Sequence, residues 1–323
     1  MKKIIRTLLA SLLSATAMSA AAASQFPDRA VTIVVPFPAG GTTDILARQL
    51  GKGLSDKWGV PVVVDNKGGA SGTIGSAQIV RSKPDGYTLM LTATHHVINP
   101  TLLKATIQYD TRTAFTSLAL IATVPNVLVV NKNFPAKNVK ELIEMAKKKP
   151  GEINFGSAGI GGANHLAGEL FAHEAGIDLT HIPYRGAAPS LSDLLAGQIP
   201  MMFDSLPGVL AHIEGGQLRA LGVTTLTRAA QLPNVPTIDE AGLKGFEAVA
   251  WFGLYGPAQL PPEVVQKLSA DVNSVLASQE IKTNFSALGA TPGQMKQPEF
   301  ASFVDSEIDK WGKVIESANI SIQ

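Results

Sequence analysis

Apolar and polar positions follow two alternating periods along this chain, and the switches between them set out its elements. Val31–Val35 holds four apolar β-branched residues around Thr32, a run that reads as a strand covered on both faces. Soon after it, Leu46, Leu50, Leu54 and Trp58 recur every four positions, the stripe of an amphipathic helix. Between the two lies Pro36-Phe37-Pro38-Ala39-Gly40-Gly41-Thr42-Thr43-Asp44. Prolines hold φ and remove donors, glycines permit the turn, and Thr and Asp start helices. Such a strand, glycine turn and helix start presents free N–H groups and the positive end of a dipole. That geometry suits a carboxylate or a phosphate. An ordinary packing turn in an α/β domain is the plainer reading of the same residues.

The pattern continues with strands over 61–65, 87–91, 127–130, 153–155, 179–183, 201–203, 219–223 and 248–255. Helices alternate with them over 73–81, 139–149, 163–175, 190–196 and 262–276, and Pro84-Asp85-Gly86 marks a turn. A last long helix carries Phe300, Val304, Ile308, Trp311 and Ile315 on one stripe. The alternation predicts α/β architecture with parallel sheets flanked by helices. Two strand-to-helix series follow each other with no linker. Two domains sharing their sheet strands are therefore expected, with crossings near Ala122–Pro125 and Gly245–Ala250.

Composition adds an address. Lys2, Lys3 and Arg6 precede an apolar run that ends at Ala21-Ala22-Ala23, the layout of a cleaved secretory leader over 1–24. The expected division is then 25–123 with 247–323 as one domain and 124–246 as the other. Removing the leader's three basic residues leaves 24 basic against 26 acidic, a net charge of −2. Nucleic acid, which takes a basic face, is not an expected partner. The chain has no cysteine, which rules out disulfides, thiolate metal sites and a lipid anchor. Export and a soluble mature chain point to a periplasm.

Four polar or glycine-rich segments fall at carboxyl ends of expected strands: 36–44, 92–96, 156–165 and 203–205. Ligands of open α/β sheets bind there. Gly159-Ile160-Gly161 begins a dinucleotide fingerprint, but Asn164 stands at its third glycine, so no nucleotide cofactor is expected. Ser157 and His165 could serve a secreted α/β hydrolase as nucleophile and base. Gly156-Ser157-Ala158-Gly159 is not the nucleophile elbow, however, and such a serine more often caps a turn. His95 and His96 are adjacent, so on a strand their side chains diverge and no metal site is expected. Arg185, after Pro183-Tyr184, could clamp a carboxylate or make a salt bridge, and Asp204 could accept from a ligand donor or cap a helix. Trp251-Phe252 could wall a cleft or pack in a core.

Taken together, these motifs resemble a known family. Val35 to Asp44, Asp65-Asn66-Lys67-Gly68-Gly69-Ala70, Asn99-Pro100, His165-Leu166-Ala167, Pro183-Tyr184-Arg185-Gly186 and Trp251-Phe252-Gly253 resemble the periplasmic receptors of tripartite tricarboxylate transporters. These are also called Bug-type receptors. The resemblance covers the whole mature chain. It implies the two-domain type II periplasmic binding-protein fold, each domain a mixed sheet flanked by helices, with a ligand cleft between them. It also implies a non-enzymatic, monomeric receptor for a small carboxylate, whether di- or tricarboxylate, amino acid or aromatic acid, serving uptake through a membrane permease or sensing. By the same resemblance, Phe37, Ala39, Gly40, Thr42 and Thr43 hold the carboxylate from one side. Ser157, Ala158 and Gly161 contribute from the other, Asp204 faces the ligand, and Thr94 and His96 lie near it.

Overall fold

The computed structural model describes residues 26–317; the expected leader and its cleavage point lie outside the described residues. The strands are β1 (Val31–Val35), β2 (Val62–Asn66), β3 (Thr88–Ala93), β4 (Phe115–Asn131) and β5 (Asn154–Ser157). They continue as β6 (Thr180–Pro183), β7 (Met201–Ser205), β8 (Leu218–Val223), β9 (Val249–Pro257) and β10 (Thr291–Pro292). The order across the sheet is β2-β1-β3-β9-β4-β7-β5-β6, with β8 and β10 also paired to β4. The first half begins as expected, with β1 parallel to β2 and β3, and in the second half β5 is parallel to β6 and β7. The centre differs from the parallel expectation: β9 is antiparallel to β3 and to β4, and β4 is antiparallel to β7 and β8.

β4 is one 17-residue strand rather than the short piece at 127–130. Its first part pairs with β9 as far as Pro125, and from Asn126 onward it pairs with β7. Pro125 thus falls where the partners change, a place where a missing N–H costs little. The strand runs straight from one half of the molecule into the other.

Helices α1 (Thr42–Trp58), α8 (Pro262–Leu276) and α9 (Gln279–Ala287) cover one face of the first half; α3 (His95–Leu102) and α10 (Gln297–Ser317) cover the other. The short α2 (Thr73–Val80) packs beside β3. β1 is apolar apart from Thr32 because both its faces are covered: Val31, Ile33 and Val35 point into the first of these cores and Val34 into the second. In the second half, α4 (Val139–Lys148) and α5 (Ala163–Ala175) bury Phe155, Phe171 and Phe203 on one face. On the other face, α6 (Ala187–Ala196) and α7 (Leu206–Glu214) bury Leu194, Met202 and Val209. Among the described residues no helix is long and apolar enough to cross a membrane.

Two helices, α3 and α9, were not expected from the sequence pattern, and α7 was expected only as a helix that Asp204 could cap. α3 stands where 92–96 read as the ragged end of a strand; Thr94 is its N-cap, and Pro100 sits inside it. α7 follows β7 without a loop, and α9 begins at the side-chain cap Ser278. α6 also starts earlier than 190, at Ala187.

Candidate functional site

The strand ends of the two halves face one small cavity of about 40 Å³. Phe37, Pro38, Gly41, Thr42, Thr43, Ala93, Thr94 and His95 line it from the first half. Ala158, Ala163, Asn164, Ala187, Asp204 and Ser205 line it from the second, and Ala250 and Phe252 of β9 close it. The N-terminal ends of five helices, α1, α3, α5, α6 and α7, meet here, and none of the five has a side-chain cap. Elsewhere α4 and α9 are capped by side chains, Asn138 accepting from Glu141 N–H and Ser278 from Ile281 N–H, whereas α2 and α8 are not. No Lys or Arg lines the cavity. Its positive potential therefore comes from backbone N–H groups and helix dipoles.

The turn after β1 is wired from beneath. Asp44 is buried; its carboxylate accepts from Gly40 N–H at 2.9 Å, Arg48 Nε at 3.0 Å and Asn66 Nδ2 at 3.0 Å. Asn66 Nδ2 also donates to the Phe37 carbonyl at 3.1 Å. Burial pushes the Asp44 carboxyl up, but the bonds from Arg48, Gly40 and Asn66 outweigh it and hold the group below the ordinary carboxylate range. Gly40 adopts φ +87°, which an L side chain rarely does. Its N–H is spent on Asp44, and it and Ala39 are exposed and outside the cavity lining.

Asp204 is the one carboxylate in the lining. Its Oδ1 accepts from Asn164 Nδ2 at 3.1 Å and from Ser205 N–H at 2.8 Å; its Oδ2 is buried with no hydrogen-bond partner among the described residues. Burial pushes this carboxyl up to about 7, against the lowering effect of the Ser205 and Asn164 bonds. Thr42 Oγ1 is likewise buried and unpartnered. A side chain at Gly208 on α7 would come within 3.1 Å of Thr42 Oγ1 and 3.2 Å of Asp204 Oδ2, so glycine lets the two halves approach there.

The sequence-derived residues separate into two sets. Phe37, Thr42, Thr43, Thr94, Ala158 and Asp204 are gathered at the cavity. His96 points the other way, packed between Phe115 and Tyr255 at centroid distances of 4.8 and 4.2 Å. Its neighbour His95 takes the cavity wall, 4.8 Å from the Phe37 ring. Both imidazoles are held down at about 3, by burial for His96 and by burial and then His165 for His95. Ser157 lies fully buried behind the wall, its Oγ 2.6 Å from His181 Nε2 and within 3.1 Å of the Gly159 backbone. Gly161 N–H donates to His165 Nδ1 at 3.2 Å. Arg185 is in neither set and makes no ion pair with another described residue.

That arrangement gives the hydrolase alternative no support. Ser157 faces His181, not His165, and no substrate carbonyl reaches a fully buried hydroxyl. His165, Glu169 and His181 do gather within 4.8 Å. Gly161 N–H occupies the His165 Nδ1 lone pair, so the ring proton sits on Nε2 towards Glu169, 3.5 Å away. A metal-bound imidazole donates from its other nitrogen instead, and the His165 and His181 rings are stacked at 4.0 Å rather than converging in plane. This cluster fits a structural role.

Asn164, His95 and Ser205 escaped the sequence reading. All three lie in the strand-end segments 156–165, 92–96 and 203–205 without being singled out there; for His95, Thr94 before Val97, Ile98 and Leu102 was the available signal of α3.

Comparison with known proteins agrees with this architecture. The periplasmic binding protein BugD is 37% identical, with a TM-score of 0.87 over 92% of this chain and 100% of that one. R. palustris Rpa4515, solved with adipate, is 38% identical with a TM-score of 0.89, over 92% of this chain and 99% of that one. MatC from Rhodopseudomonas palustris, solved with malate, is 31% identical with a TM-score of 0.84, over 90% of this chain and 100% of that one. The family described as "Tripartite tricarboxylate transporter family receptor" matches residues 46–320, and with this fold and cleft the chain belongs to that receptor family.

Proposed function

We propose that this chain is a periplasmic receptor that closes on a small carboxylate, preferentially an aliphatic dicarboxylate, in the cavity between its halves. The observation that carries the reading is the meeting of five uncapped helix N-termini at one cavity without a basic side chain. One carboxylate is held by N–H groups of the first turn of α1 and by Thr42 Oγ1. The second meets α5 and the protonated Asp204, which donates from Oδ2. Phe37, Ala158, Ala163 and Phe252 cover the methylene body between them. Adipate and malate, carried by the two R. palustris proteins, belong to this chemical class.

The contact set is Phe37, Thr42, Thr43, Thr94, His95, Ala158, Asn164 and Asp204. Ala39 and Gly40 shape the turn before α1, while His96, Ser157 and Gly161 hold the walls from behind. A cavity of about 40 Å³ is far below the roughly 300–1,000 Å³ of ordinary small-molecule sites. A dicarboxylate therefore enters only when the halves part and is enclosed when they return. The moving bodies are 25–123 with 247–323, and 124–246. The receptor acts as an exported monomer, performs no chemistry on its ligand and delivers it to a membrane permease.

Titration calorimetry of the purified mature protein with adipate, malate, a monocarboxylate and sulfate tests the reading. Saturable binding of dicarboxylates, with no turnover of activated esters, is expected. Absence of heat and of thermal stabilisation with every carboxylate would overturn it.

A further inference from the structure

A second and larger cavity lies behind the strands that join the halves. It measures about 640 Å³, a volume typical of ligand sites, and it shares almost no residues with the front cavity. β9 separates the two: Ala250 and Phe252 face the front, whereas Val249 and Trp251 face the back. This is the period-two alternation of a strand with a cavity on each face. Thr123, the register partner of Trp251 on β4, also faces the back.

The two walls of the back groove come from opposite halves. Phe303 and Trp311 of α10, with Trp251, form one wall and pack on a core of the first half. Glu307 is buried and binds that wall together, accepting from Trp251 Nε1 at 3.0 Å, Trp311 Nε1 at 3.1 Å and Lys310 Nζ at 3.0 Å. Leu170 and Ala172 of α5, with Ile177 and Leu179, form the other, and Leu170, Ile177 and Leu179 pack on a core of the second half. At the floor the walls already meet, because Leu166 shares a core cluster with Trp251.

We infer that this groove is a reciprocal interaction surface whose partner is its own opposite wall. The joining strands lie between the two cavities, so a rotation that opens the front must narrow the back. Opening then buries Phe303, Trp311 and Leu170 against each other, and this apolar contact stabilises the ligand-free, open receptor. Ligand binding works against it, and the groove sets what fraction of the receptor is competent to close. The inference rests on the closing motion proposed above.

The test uses the mature protein with Ala172→Trp, which fills the groove, and Leu170→Gln, which removes apolar contact from one wall. Both changes disfavour the open form by different routes. Small-angle scattering without ligand should give a smaller radius of gyration for each variant than for the parent. Calorimetry with adipate should give affinities at least about threefold tighter, since apparent affinity scales with the competent fraction. Should Ala172→Trp fail to fold, Leu170→Gln still decides the matter. Ligand-free radii equal to or larger than the parent's overturn the inference. A parent that binds no carboxylate, while the variants are more compact, overturns the proposed ligand and leaves the groove's role standing.

Discussion

Asp204→Asn isolates the charge at the centre of the cavity. The amide is isosteric; its oxygen still accepts from Asn164 Nδ2 and Ser205 N–H, and its NH2 takes the place of the unpartnered Oδ2. The parent carboxyl is raised by burial from the ordinary 3.8 to about 7. Between about pH 4 and 7 the folded chain keeps a proton that the unfolded chain has lost. The contribution of this group is therefore whole below about pH 4 and declines as pH rises to about 7, beyond which it is level. At about 1.36 kcal/mol per pH unit, the decline amounts to something on the order of 4 kcal/mol. His95, His96 and His181 act in the opposite sense. Burial comes first among the causes that hold them at about 3, so they erode stability as pH falls below about 6.5. Parent and variant share that effect, and subtraction removes it. Urea unfolding of both proteins from pH 4.5 to 8.5 should show the variant gaining on the parent up to about pH 7 and holding that gain above. In parallel, adipate affinity of the parent should fall as pH rises through about 7, because an ionised Asp204 repels the ligand, while the variant changes little. A parent-minus-variant stability difference that stays flat across this range would refute the reasoning.

Asp44→Ala removes the acceptor shared by Gly40, Arg48 and Asn66. A stability loss of about 1.5–3 kcal/mol and at least tenfold weaker adipate binding are expected by urea unfolding and calorimetry; unchanged binding would detach the turn from the site. Thr42→Val replaces a buried, unpartnered hydroxyl with an isosteric methyl. The ligand-free protein should be as stable or more so, while adipate binding weakens by about 0.5–1.5 kcal/mol, and equal affinity would remove Thr42 from the contact set. Export and cleavage should leave a mature N-terminus within a few residues of Ser24, read by mass spectrometry of the periplasmic fraction; an intact Met1 would contradict the leader.

The elements that carry their own periodicity were legible from the chain. β1 is apolar at every position except Thr32 because helices cover both its faces, and α1 carries its stripe because one side alone is buried. Pro36, Gly40 and Gly41 likewise announced the turn, since the φ they allow or forbid is a local property. α3 was hidden by Pro100, which stands at the sixth of its eight positions, past the first turn where local rules admit proline. The unbroken course of β4 was hidden by Pro125, which is harmless only because the strand's partners change there.

The chain alone thus determined the family, the alternation of strands and helices and the turn that starts the cleft, all of which depend on near neighbours in sequence. The tertiary structure decided which side chains face the ligand. Gly40 and Gly161 offered free N–H groups on paper, yet Asp44 and His165 consume them. Of two adjacent histidines, the rotation between successive residues of α3 sends His95 to the cavity and His96 into the core. Asp204 is raised by burial, and that burial is a product of segments far apart in sequence, those of Val127, Asn164 and Gly208. Hydrogen-bond competition, helix phase and desolvation are set by contacts across the sheet, which no local pattern encodes.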